Sequence, residues 1–239
     1  VSKTDELYYY FQFVKRIVTN GGLFFDYFPV VAFQPMAQEL WYVPVFGLGA
    51  TEAPAILNLM TSFLILLISY LWLSKYLSSK WALLAVLATY INQNGIAIYP
   101  APQNNVASTL WLLAALIITF EVLYSDEIWK DQEFLMVVVG MIFVSACLVS
   151  AKNIPVIFIC IVVVVYKAFA IQKNYKMLAY LVIPFLIFYL PFMIRIYCWT
   201  GSPLFPAFAK LFGVTIFDTE AMDAYFQRRG FAKLRSLNQ

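Results

Sequence analysis

The chain has 239 residues, 63% of them hydrophobic and only 12% charged, with a mean hydropathy of +0.78, a net charge of +3 and a pI near 8.6. A soluble domain carries about 25% charged residues to clothe its surface, so a water-soluble fold is excluded, and so small a positive charge makes no case for nucleic acid. With no histidine in the chain, imidazole bases, Ser-His-Asp triads and His-type zinc sites are excluded as well.

Run length points the same way. Trp81 to Phe120 contains no Asp, Glu, Lys or Arg. A bilayer span needs about 20 mostly apolar residues, and backbone amides in lipid must be satisfied within the segment, which favours helices. The alternation of a membrane barrel is absent. The expected class is an all-α membrane protein, a polytopic transmembrane helical bundle with interfacial amphipathic helices in its first outer loop. Residues 1–50 read as that loop, 51–198 as a six-span bundle, and 199–239 as an outer loop with an interfacial tail.

In chain order, Asp5 to Thr19 is predicted to be an amphipathic helix. Asp5, Tyr9, Gln12, Arg16 and Thr19 lie on one face, and Leu7, Phe11, Val14 and Val18 on the other. Asn20-Gly21-Gly22 stops it. Pro29 introduces a loop, and Pro35 begins a second short helix that carries Glu39. Spans follow at 54–74, 81–98, 104–123, 134–151, 153–171 and 177–197. They are separated by the Lys75–Lys80 turn, the two prolines Pro100 and Pro102, the charged stretch Ser125–Glu133, Lys152-Asn153-Ile154-Pro155, and the basic loop Lys167–Lys176. Lys167 is expected to snorkel from the end of the fifth span. Cys147, Cys160 and Cys198 match no metal or disulfide framework and read as buried, inert thiols.

Orientation follows from counting basic residues in short connections. Lys75, Lys80, Lys130, Lys167, Lys173 and Lys176 fall on one side; Lys152, Arg195 and Lys210 fall on the other. The first side is therefore cytoplasmic. The first loop, the Pro100 turn and Lys152 face outward. The chain opens directly into an outer loop, so a further span is expected before Val1, and the sequence reads as a middle section of a longer protein.

No carboxylate lies in the middle of a span, where a transporter would keep an ion-coupling acid. Acids gather instead in the first loop, at Asp5, Glu6, Asp26 and Glu39. Taken alone, Asp5-Glu6 stabilises the first turn of a helix through the macrodipole, and Glu39 in Gln34-Pro35-Met36-Ala37-Gln38-Glu39-Leu40 is an interfacial acid.

The order of these pieces resembles the GT-C class of membrane glycosyltransferases, in the bacterial branch related to protein O-mannosyltransferases and lipid A aminoarabinose transferases. Asp5-Glu6 heading an aromatic helix is similar to that branch's first-loop signature. Phe28-Pro29 through Pro35–Leu40 resembles the second half of the same loop. Ala151-Lys152 is similar to its lysine at the outer end of a span. Pro191-Phe192-Met193-Ile194-Arg195 followed by Thr200-Gly201-Ser202-Pro203-Leu204-Phe205-Pro206 resembles its most specific stretch. Ser202 and Ile196 stand where the family has Asn, and Pro100–Asn105 lacks the second acid that several members place there.

The resemblance implies an inverting transfer of a sugar from a polyprenyl-phosphate donor to a glycan, lipid or protein acceptor. The setting implied is the outer face of a bacterial cytoplasmic membrane. Asp5 is the implied general base, Glu6 or Glu39 orients the acceptor or the base, and Lys152 and Arg195 meet the lipid phosphate. No cofactor is implied, and the residues present do not support a divalent metal. Two other classes compete. A transporter or flippase predicts internal repeats and charge within the bundle, neither of which is visible. A non-catalytic scaffold would tolerate loss of the first-loop acids. In a cysteine-free background, a membrane-impermeant maleimide should label Asn104→Cys from outside and Ser78→Cys only from the cytoplasmic side. The reverse pattern would overturn the orientation.

Overall fold

Apolar runs bounded by prolines and short polar turns form helices in the computed structural model, which describes residues 11–21, 42–44, 47–49, 53–91, 104–124, 132–171 and 176–203. Among these residues there is no strand. We label the helices α1 (Phe11–Asn20), α2 (Ala53–Leu73), α3 (Ser79–Ile91), α4 (Asn104–Tyr124), α5 (Gln132–Val149), α6 (Ile154–Tyr166), α7 (Lys176–Pro184) and α8 (Leu190–Thr200). A 3₁₀ turn, Ala151–Asn153, joins α5 to α6, and π-helical segments occupy Lys167–Ile171 and Phe185–Tyr189. The chain forms two units, Val1–Pro191 and Phe192–Gln239.

The expected punctuation accounts for most helix ends. Helix α1 stops at Asn20, and Gly21 follows with a φ of +68°. That left-handed conformation lets the chain leave a helix without a Cβ clash. Burial on α1 is uneven along its apolar face. Val14 and Ile17 are buried, whereas Val18 is exposed. Ser74–Tyr76 turns the chain after α2, with Leu77 N–H donating to Leu73 O at 2.9 Å. Pro155 opens α6, where its missing N–H would have had no partner anyway. The Asp5 end of the first expected helix lies outside the described residues.

In the first unit the core gathers around α5. Met136, Val139, Phe143, Ala146 and Cys147 of that helix pack with Ala115 and Val122 of α4. Ile157, Cys160 and Val164 of α6, Ala168 beyond it, and Leu181 of α7 complete the cluster. The outward faces are as apolar as the core: Phe63, Leu67 and Leu71 of α2, Leu83 and Leu84 of α3, and Phe158 and Ile159 of α6 are all exposed. Exposed apolar area on this scale marks a surface that water does not cover.

Among the described residues, three helical runs are long and apolar enough to cross a membrane, Ala55–Leu73, Val106–Tyr124 and Leu178–Cys198. They coincide with the expected spans at 54–74, 104–123 and 177–197. The other three expected spans fall on shorter apolar helices, Ser79–Thr89, Glu133–Val149 and Ile154–Phe169. Cys147 and Cys160 are buried as expected, but Cys198 is exposed.

One contact sets the approach of α7 to α5. A Cβ added to Gly140 would lie 2.6 Å from Leu181 O and 2.9 Å from Cγ of Pro184. Only glycine fits, and small residues at such crossings replace the hydrophobic drive that helices lack in lipid. Pro184 cannot donate to the carbonyl four residues back. The ladder is rephased in the π-helical segment that follows, where Leu190 N–H reaches Phe185 O. Gly140→Ala should therefore force α5 and α7 apart, at a cost of about 1–3 kcal/mol, and Gly140→Val should cost more. Thermal unfolding in detergent, followed by tryptophan fluorescence, measures both. Melting points equal to the parent's would refute the close fit.

Candidate functional site

The two ends of α4 differ in chemistry. At its C-terminal end, Lys75 of the turn after α2 meets Glu121 at 2.8 Å. Trp72, Tyr76 and Phe120 form a triangle of edge-on rings with centroids 5.5 to 5.9 Å apart. Lys167 does not snorkel there. It is buried, and its Nζ donates to Leu123 O at 3.1 Å. The last four carbonyls of a helix have no partner within it, and a lysine ammonium suits both the orphan carbonyl and the negative end of the helix dipole. That local need outweighs the pull of water on the side chain.

The N-terminal end of α4, about 30 Å away at 1.5 Å per residue, holds a polar knot. Asn153 is buried, its Oδ1 accepts from the Ser108 hydroxyl at 3.1 Å, and its Nδ2 donates to Ala146 O at 3.0 Å. Asn153 N–H donates to Ser150 O at 3.1 Å. One amide thus ties together α4, the end of α5 and the start of α6. Lys152 stands beside it in the 3₁₀ turn, exposed to the surroundings. Its backbone is held by the knot while its ammonium projects outward, an arrangement suited to an anion at the end of the helix bundle.

Arg195, the other expected cation, belongs to the second unit. It lies half-buried on α8 with its guanidinium 5.1 Å from the centroid of the Phe192 ring, one turn earlier. The Thr200-Gly201-Ser202 segment ends that helix. Gly201 takes a φ of +74°, Thr200 Oγ1 lies 2.8 Å from Ile196 O, and Ser202 N–H donates to Thr200 Oγ1 at 3.1 Å. Here the threonine caps and the glycine turns, which explains these two residue types by local geometry alone. Ser202 is fully buried.

Asp5, Glu6 and Glu39 lie outside the described residues. Among the described residues no three His, Cys, Asp or Glu side chains gather into a metal-binding group. Sequence reasoning passed over Ser108 and Asn153. A signal existed, since an asparagine two residues before Pro155, between two apolar runs, is short of water and needs protein partners. Compared with protein-family models, with curated proteins and with solved structures, the chain matches none.

Asn153→Ala should leave the Ser108 hydroxyl without its acceptor and should cost about 1–3 kcal/mol. Asn153→Asp should be worse, because a carboxylate oxygen replaces the donor facing Ala146 O. Thermal midpoints of the detergent-solubilised variants test this ranking. A fully stable aspartate variant would contradict it.

Proposed function

We propose that this protein is a membrane glycosyltransferase of the GT-C type that moves a sugar from a polyprenyl-phosphate donor to an acceptor on the outer face of a bacterial cytoplasmic membrane. In this reading all six apolar segments cross the bilayer as a polytopic bundle. The first loop lies in the outer interface on amphipathic helices. The observation that carries the reading is the ordered set of sequence pieces: Asp5-Glu6, the proline-and-glutamate segment to Leu40, Ala151-Lys152, and Pro191 to Pro206. The exposure of Lys152 beside a fixed polar knot supports it, because a lipid phosphate needs a cation at the rim of the bundle.

The chemistry proceeds by inversion. An acceptor hydroxyl attacks the anomeric carbon from the face opposite the phosphate, and Asp5 takes its proton as the new glycosidic bond forms. The bond from the anomeric carbon to the phosphate oxygen breaks through an oxocarbenium-like state. The polyprenyl phosphate leaves with the electron pair. It departs as an anion, so it calls for cations more than for a general acid. Lys152 and Arg195 fill that role, and the planar fork of arginine suits bidentate phosphate contact. Glu6 or Glu39 orients the acceptor or the base.

Asp5→Asn in the full-length protein tests this. Asn keeps the shape and still caps a helix, so folding should change by well under about 1 kcal/mol. Loss of the base should lower transfer by roughly 100- to 10,000-fold. Glu6→Gln should lose less. The assay follows sugar leaving radiolabelled polyprenyl-phosphate donors in membranes. Unchanged turnover in the Asp5, Glu6 and Glu39 variants together would defeat the reading.

A further inference from the structure

Every residue from Lys75 to Trp81, in the turn between α2 and α3, is exposed. Tyr76, Leu77 and Trp81 leave 55%, 43% and 66% of their surface uncovered, and Lys75 and Lys80 stand among them. A turn that met only water would gain nothing by exposing a tyrosine, a leucine and a tryptophan together. Nor is the turn slack. Lys75 N–H donates to Trp72 O at 3.1 Å, Tyr76 N–H to Leu73 O at 3.0 Å and Ala82 N–H to Ser78 O at 3.0 Å. The Tyr76 ring lies edge-on to Trp72 and Phe120.

The flanks that run away from this turn are apolar on both helices, with Leu64, Leu67 and Leu71 exposed on α2 and Leu83, Leu84 and Leu87 on α3. Two more exposed rings with polar tips lie at the same end of the first unit. Tyr124 packs on Phe120 with ring centroids 4.5 Å apart, and Tyr166 adjoins Lys167, whose Nζ reaches Leu123 O. Aliphatic side chains, then rings with polar tips, then ammonium groups is the order of a bilayer from hydrocarbon to headgroups. The turn therefore stands at headgroup level.

Charge chooses among headgroups. Lys75 is held by Glu121 at 2.8 Å, so its charge is largely answered. The Lys80 side chain makes no hydrogen bond or ion pair among the described residues. A free ammonium at this level favours a lipid of net negative charge, because a zwitterionic headgroup brings its own cation to the phosphate. A soluble anion would call for the lysine but not for the exposed rings and leucine around it.

We infer that the Lys75–Trp81 turn is a docking site for the headgroup of an anionic phospholipid. Lys80 meets the phosphate, and Tyr76, Leu77 and Trp81 cover the glycerol and the upper acyl chains. The inference does not depend on the transfer chemistry proposed above.

The test uses the full-length protein with Trp81 as its one tryptophan and phenylalanine at the others, reconstituted in phosphatidylcholine vesicles. Phosphatidylglycerol or phosphatidylcholine brominated high on the acyl chains is added at equal mole fraction, and quenching of Trp81 gives their relative affinity. A lysine at an anionic surface is worth about 5-fold, so phosphatidylglycerol should be preferred by about 5-fold, and Lys80→Gln should bring the ratio to about one. Equal quenching by the two lipids in the Lys80 protein overturns the site, and so does a preference that survives Lys80→Gln. Inorganic phosphate at matched ionic strength should leave the ratio unchanged; displacement by it would make this a soluble-anion site and overturn the lipid assignment. Should the single-tryptophan protein fail to fold, the parent is irradiated with photoactivatable analogues of the two lipids. The peptide holding residues 75–81 should then carry about 5-fold more phosphatidylglycerol than phosphatidylcholine adduct, and equal labelling overturns the site.

Discussion

Gly140 sets how closely two helices approach, and the packing of the first unit depends on that approach. In surroundings as apolar as the side chains themselves, burying another leucine gains nothing, so helices associate through close packing and a few polar contacts. Gly140 lets the Leu181 carbonyl and the Pro184 ring come within a distance that any Cβ would forbid. Helix α5, fixed on that side by α7, offers its other faces to α4 and α6, and the buried cluster forms where these helices meet. The exposed leucines and phenylalanines around the outside are the complement of this arrangement.

Polar groups in such a bundle are few, and three of the described ones hold helix ends or crossings together. Asn153 ties three segments, Lys167 closes the last turn of α4, and Lys75 pairs with Glu121. The two ends of α4 have different characters because of this. One has an ion pair and stacked rings. The other has a neutral amide knot with a lysine projecting beside it. That asymmetry is what makes the Lys152 end the place to look for anion chemistry.

The helices were largely legible in the sequence, and the reason is local. Gly21 and Pro155 stop or start helices by their own backbone chemistry, and an apolar run such as Val106–Tyr124 has one stable secondary structure away from water. Contacts between distant residues were not legible. Lys167 was expected to reach for the interface, because a lysine at a span end reads the same whether it meets water or a carbonyl 44 residues away. The fit of Gly140 against Pro184 has no local signature, since a glycine in an apolar helix costs the same wherever it packs. For the candidate site, the position of Lys152 between two apolar helices was readable, but the knot that holds it was not. Asp5, Glu6 and Glu39 were singled out by sequence alone.

The buried lysine also bears on how the protein is made. Helix α4 leaves the ribosome well before α6, so the Leu123 carbonyl is synthesised 44 residues ahead of the ammonium that closes it. Until Lys167 arrives, the Leu123 carbonyl lacks the side-chain donor that it has in the folded protein. The order of synthesis thus makes α6 the segment that seals α4.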